Sequence, residues 1–113
     1  MTMRTNIPML AVALLAHWLP AAQAQDAVKG RAVYQAVCIA CHAPENVMVS
    51  APKAGDVKEW ARRAGTDAAG LRQLTDHAVE GFGAMPPKGG RADLTRAQIQ
   101  DAIEFMRQAP NKG

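Results

Sequence analysis

Cys38-Ile39-Ala40-Cys41-His42 is the stretch whose reading decides this chain. The pattern C-x-x-C-H is that of a covalent attachment site for haem c, and the chemistry explains the spacing. On a helical turn, residues three and four apart share a face. Cys38 and Cys41 can both reach the vinyl groups on one porphyrin edge and form thioethers, which leaves His42 facing the iron as proximal ligand. Other readings of the pentapeptide are poorer. A disulfide between residues three apart closes a tiny loop and constrains the unfolded chain little. A thioredoxin-like redox pair expects a βαβ setting. A zinc site would need a second ligand pair, and the chain has only 2 cysteines and 3 histidines.

The residues before the motif point to export. Met1 to Ala24 has the three parts of a cleaved secretory signal peptide: Arg4 in the n-region, an apolar run from Ile7 to Leu19, and Ala22-Gln23-Ala24 as the small-x-small site after Pro20. The run is short for a bilayer span, and no other run of membrane length follows. The expected domain organisation is therefore residues 1–24 as leader and 25–113 as one exported monohaem domain. Removing 24 of 113 residues leaves 89, a length at which a peptide-only core is thin. A buried, covalently tied porphyrin would supply apolar core. Without Arg4, the 13 Lys and Arg fall to 12 against 10 Asp and Glu, a balance of +2 that two haem propionates would bring near zero. Nucleic acid is not an expected partner.

The rest of the chain reads as helices joined by Gly/Pro loops, with no alternating strand pattern and no internal repeat. Asp26 is the expected N-cap of the first helix. Gly30, Val33, Tyr34 and Val37 then share an apolar face, and a mid-helix glycine costing about 1 kcal/mol suggests a closely crossing neighbour. A short helix is expected over Asp56 to Ala64, ending at Gly65. A third follows Thr66 as cap, with Leu71, Leu74, Thr75 and Ala78 on one face, and stops before Gly81. Thr95 to Gln98 forms a capping box for the last. That helix carries an apolar stripe of Ile99, Ala102, Ile103 and Met106, with Phe105 on its flank. Between the last two helices, Gly81-Phe82-Gly83-Ala84-Met85-Pro86-Pro87-Lys88-Gly89-Gly90 forms a strap whose Met85 thioether can ligate haem iron. Its prolines stiffen the strap, and its glycines let backbone pass close to a flat group.

With these segments assembled, the chain resembles the class I c-type cytochromes, and among them the cytochrome c5-like bacterial subgroup. The resemblance rests on C-I-A-C-H, A-P-K-A-G-D followed by Trp60, G-A-M-P-P-K-G-G and L-T-R-A-Q-I-Q-D-A-I-E-F-M, and covers Val28 to Gln108. It implies an all-α fold of about four helices around one haem c, with Gly30 and Tyr34 of the first helix crossing Phe105 of the last. It also implies that the Pro52 carbonyl accepts the proximal histidine's Nδ1–H. The segment from His42 to Pro52 is longer than in the relatives it resembles, and Ser50 stands where glycine is usual, so the course of residues 43–51 is left open. Trp60 could bind a haem propionate or pack on the core. His77 reads as a solvated histidine. Lys53, Arg62, Arg63, Lys88 and Arg91 read as charged surface, with Lys53 and Lys88 rimming the haem edge.

The expected ligand set is thus Cys38 and Cys41 for covalent attachment, His42 and Met85 on the iron, and Pro52 behind His42. The expected function is a soluble one-electron carrier between respiratory redox proteins, with no catalytic residues. A haem c subunit of a larger periplasmic oxidoreductase is the alternative, and a ligand-sensing haem protein a third, which would need Met85 to be displaceable.

Overall fold

The computed structural model describes residues 21–108, with side chains from residue 26. Most of the expected leader, residues 1–20, lies outside the described residues. The first helix, α1 (Ala21–Val33), runs without a break into a π-helical segment (Tyr34–Cys38) and then α2 (Ile39–His42). Two further helices follow, α3 (Val57–Ala64) and α4 (Ala68–Glu80), then a 3-10 turn (Pro87–Gly90) and the last helix, α5 (Arg96–Arg107). Among the described residues there is no strand beyond a single bridge between Phe82 and Met85.

Most of these elements match the sequence reading, and two ends are corrected. In the full chain Asp26 lies inside the helix and does not cap it: α1 already runs from Ala21, four residues ahead of the expected mature start at Gln25, through alanine and glutamine residues that favour it. The cap of α4 is Asp67, not Thr66. Its carboxylate accepts the Gly70 N–H at 2.8 Å, and Asp is the better acceptor of two adjacent cap residues. Asp56 caps α3 in the same way through Glu59 N–H, and α3 ends at Gly65. The capping box of α5 is complete, with Thr95 and Gln98 each accepting the other's backbone N–H. Leu94 before the box and Ile99 inside the helix are both buried in the core, a hydrophobic staple that fixes the entry of the chain.

The core forms where α5 crosses α1. Ile99, Ala102, Ile103 and Met106 are all buried, as the stripe requires, and join Tyr34, Trp60, Ala78 and Leu94. The Tyr34 and Phe105 rings meet with centroids 5.2 Å apart. Gly30 is buried at the crossing. A Cβ there would run into the carbonyl oxygen of Asp101, and would lie 2.7 Å from its carbon and 3.1 Å from Phe105 Cβ. The two backbones can approach this closely because Gly30 has no side chain. On the far side, Gly70 plays the same part between α4 and the end of α3, where a Cβ would meet the Ala64 carbonyl. Thr75 is wholly buried, with its hydroxyl donating to Leu71 O at 2.7 Å.

Among the described residues eight buried hydrophobic side chains, two of them alanines, make a sparse core for one domain. The crossing at Gly30 therefore carries a large share of the fold. Gly30→Ala should lower stability by about 2–3 kcal/mol, because the overpacking cost outweighs the helix-propensity gain of alanine. Chemical denaturation of the variant checks this, and an unchanged or raised midpoint would refute it.

Candidate haem-binding site

The π-helical segment ends on the first cysteine of the motif. The Ile39 N–H donates to Tyr34 O, an i→i+5 bond that widens the helix just before the chemistry. One helix must therefore serve two directions. Gly30 and Tyr34 face α5, and the wider turn re-aims the residues that follow. His42 is buried, Cys38 is half-buried and Cys41 is exposed.

His42 is held from three sides by one short loop. Its Nδ1 lies 2.7 Å from Pro52 O. A carbonyl can only accept, so Nδ1 carries the proton and the Nε2 lone pair is free. The Ala54 N–H donates to His42 O at 2.8 Å. The Trp60 indole N–H donates to Lys53 O at 2.9 Å, and the indole stacks on the His42 ring with centroids 5.9 Å apart and planes 25° apart. Three consecutive residues, Pro52, Lys53 and Ala54, thus bind either the histidine or the ring that covers it. Burial pushes the His42 pKa down, and the Lys53 and Arg63 charges act the same way against the Pro52 bond. The imidazole is kept neutral and ready to donate its lone pair.

The loop before this clasp, whose course the sequence leaves open, is organised by Asn46 and Lys53. Asn46 Oδ1 accepts the N–H groups of Met48 and Val49, while its amide donates to Ala40 O. The Lys53 ammonium donates to Val49 O at 2.7 Å and Cys41 O at 3.1 Å. Lys53 is therefore a loop tie and not the free rim cation expected from sequence. The Gly55 N–H donates to Met106 O and anchors the loop to α5. Val47 and Met48 are left outside, Met48 at 90% exposure.

Met85 is half-buried against the core. Its backbone N–H and C=O pair with those of Phe82 at 2.9 and 3.0 Å, closing a turn through Gly83 and Ala84. Gly81, at φ 88°, lets the strap fold back, and a Cβ there would lie 3.0 Å from the Pro87 ring. Lys88 and Gly89 both have left-handed backbone, which turns the strap toward α5. Lys88 donates to Ala92 O at 3.3 Å, so it too is a strap tie. The remaining cations of this surface are paired: Arg62 and Arg63 with Glu59, and Arg91 with Asp93.

The residues present fit a haem c. Cys38 and Cys41 are both free thiols, and burial pushes the Cys38 thiol up. His42 is the one buried imidazole among the described residues, its Nε2 is free, and the partly buried Met85 carries the soft thioether expected of a second ligand. Among the described residues no group of three or more His, Cys, Asp or Glu is arranged to hold a bare metal ion.

The family described as "Cytochrome C oxidase, cbb3-type, subunit III" matches residues 25–106. A cytochrome c-555 of Chlorobaculum tepidum is 42% identical over 74% of this chain and 76% of its own length. The chain belongs to the class I c-type cytochromes. A cytochrome c5 of Azotobacter vinelandii is 39% identical over 61% of this chain and 80% of its own, in keeping with a c5-like member. A solved structure described as an electron transfer complex of nitrite reductase with cytochrome c superposes at a TM-score of 0.59. It is 35% identical and covers 70% of this chain and 90% of that one. The all-α class I fold, the covalent haem c and the role of electron carrier, not enzyme, all follow from this membership.

Two side chains do more than the sequence shows. Trp60 has its single N–H bound to Lys53 O, so it backs the histidine and does not reach for a propionate. Its position three residues into a capped helix gives no hint of that ring stack. His77, expected in solvent, is half-buried with its ring stacked on Phe82. Removing the Lys53 ammonium should loosen the proximal loop. Lys53→Met is expected to lose about 1 kcal/mol, since its bonds to carbonyls are charge-assisted but partly solvated. The denaturation midpoint checks this, and a loss no larger than that of Lys58→Met would refute it.

Proposed function

We propose that this cytochrome is exported to the periplasm and carries single electrons between redox proteins, with His42 and Met85 as the two axial ligands of its iron. The observation that carries the ligand assignment is the 2.7 Å bond from His42 Nδ1 to Pro52 O. It fixes the tautomer, aims Nε2 and strengthens the imidazole as donor. When bound, the haem supplies the ferrous–ferric couple, and the protein sets its potential by ligand choice, hydrogen bonding and burial.

The residues of this chain do the rest without moving a proton. Cys38 and Cys41 fix the group to the end of the first helix. The Trp60 ring and the residue 52–54 clasp hold His42 in one orientation in both redox states. The Pro86-Pro87 strap presents Met85, which would hold the iron against water and exogenous ligands, a requirement for transfer without ligand exchange. The leader supports export: cleavage after Ala24 would place the start of α1 at Gln25, one residue before Asp26. Among the described residues no helix is long and apolar enough to cross a membrane.

Partners are electron-donor and electron-acceptor proteins that meet the chain between the two loops flanking the motif. Ala84, Pro86 and Pro87 are exposed there and Ala51 and Pro52 half-exposed, an apolar centre suited to a small, short-lived contact. With a balance of only +2 after residue 24, before two propionates are counted, long-range charge steering contributes little.

Met85→Ala should open a coordination position, lower the reduction potential and allow carbon monoxide to bind the reduced protein. The far-red methionine-to-iron charge-transfer band of the ferric protein should vanish in Met85→Ala and persist in Met48→Leu, given the exposure of Met48. The reverse pattern would refute the assignment.

A further inference from the structure

Phe82 is an exposed aromatic in a glycine-rich strap, and burial does not hold it: 55% of its surface is open. What meets it is His77 of α4. The two rings lie face to face, with centroids 4.1 Å apart and planes 11° apart. Among the described residues this is the one aromatic stack between the strap and a helix.

Phe82 is also the backbone partner of Met85, through both hydrogen bonds of the two-residue turn. A ring fixed at Phe82 therefore fixes the backbone from which the Met85 thioether projects. The glycines around it make that fixation necessary. Gly81 at φ 88° and Gly83 at φ 56° stand on either side of Phe82 in backbone regions that favour glycine. They allow the turn but do not hold it against α4. On the other side Pro86 and Pro87 stiffen the strap, and Gly89 packs near Val37. The Pro87–Gly90 turn also packs on α4, and at the Gly81–Gly83 end the His77 ring is the aromatic contact with that helix.

We propose that His77 is a positioning residue for the distal ligand: its ring clamps Phe82 and thereby holds the Met85 turn closed over the iron. This rests on Met85 being the axial ligand. The clamp acts on the equilibrium between a ligated and a displaced methionine, and an added ligand reads that equilibrium, because its apparent affinity scales with the displaced population.

Imidazole added to the ferric holoprotein is the probe. His77→Ala should raise apparent imidazole affinity by roughly 2- to 10-fold, the span of an aromatic pair's geometric contribution. His77→Phe keeps a flat ring on Phe82 and should return the parent affinity. Phe82→Leu should reproduce the His77→Ala increase, and adding His77→Ala to it should change little more, since both remove one interaction. In a Met85→Ala background, His77→Ala should leave imidazole affinity unchanged. A His77→Ala protein with a lowered denaturation midpoint but parental imidazole affinity would overturn the clamp, as would equal increases in His77→Ala and His77→Phe. A far-red charge-transfer band that survives Met85→Ala would overturn the ligand assignment and the clamp together. A band lost in Met85→Ala, with imidazole affinity indifferent to His77, would overturn the clamp alone.

Discussion

The contact between α1 and α5 at Gly30 is the constraint on which the rest of this molecule hangs. It joins the first and last helices of the domain, and it does so backbone to backbone, at a distance that no side chain would permit. Once those two helices are locked, the C-terminal end of the first is fixed in space, and that end carries Cys38, Cys41 and His42. The C-terminal end of α5 in turn anchors the proximal loop, through the bond from Gly55 N–H to Met106 O. The attachment motif and the clasp behind it are therefore both set by one helix crossing.

Given that frame, His42 is organised more heavily than the strap that carries Met85. Backbone groups from three successive residues, an indole ring and a lysine tie all converge on the proximal side. The Met85 strap has glycines at its turns, prolines at its centre and one ring stack to α4. This asymmetry suits a carrier. On the proposed ligation, His42 would be the permanent ligand, and Met85 would exclude other ligands while setting the potential through a weak, soft donor. The peptide core is small, so the porphyrin, tied by two thioethers, completes the hydrophobic interior as well as supplying the redox couple.

Much of this was legible in the sequence, for identifiable reasons. The C-x-x-C-H spacing is a chemical requirement, and the capping box at Thr95 and the stripe from Ile99 to Met106 are strong local signals. Gly30 stood out because a helix interior does not tolerate glycine without a reason. The bond from His42 to Pro52 was implied only by resemblance, and the structure supplies it. What could not be read depends on tertiary placement. Whether Thr66 or Asp67 caps α4 turns on one residue of register. The π-helical widening at residues 34–38 leaves no compositional trace. Lys53 and Lys88 read as surface charge because nothing in a linear sequence shows which carbonyls a long side chain will find. His77 sits off the apolar stripe of its helix and so read as solvated, yet its neighbour comes from a strap beyond the helix end.

The central claim is that one haem c, closed at both axial positions, shuttles a single electron. A potentiometric titration of the intact protein, followed through its visible spectrum and repeated under carbon monoxide, tests it directly. The account predicts one reversible one-electron transition between low-spin forms, with neither its spectra nor its midpoint altered by carbon monoxide at neutral pH. Two transitions, a high-spin form, or a midpoint displaced by carbon monoxide would contradict it.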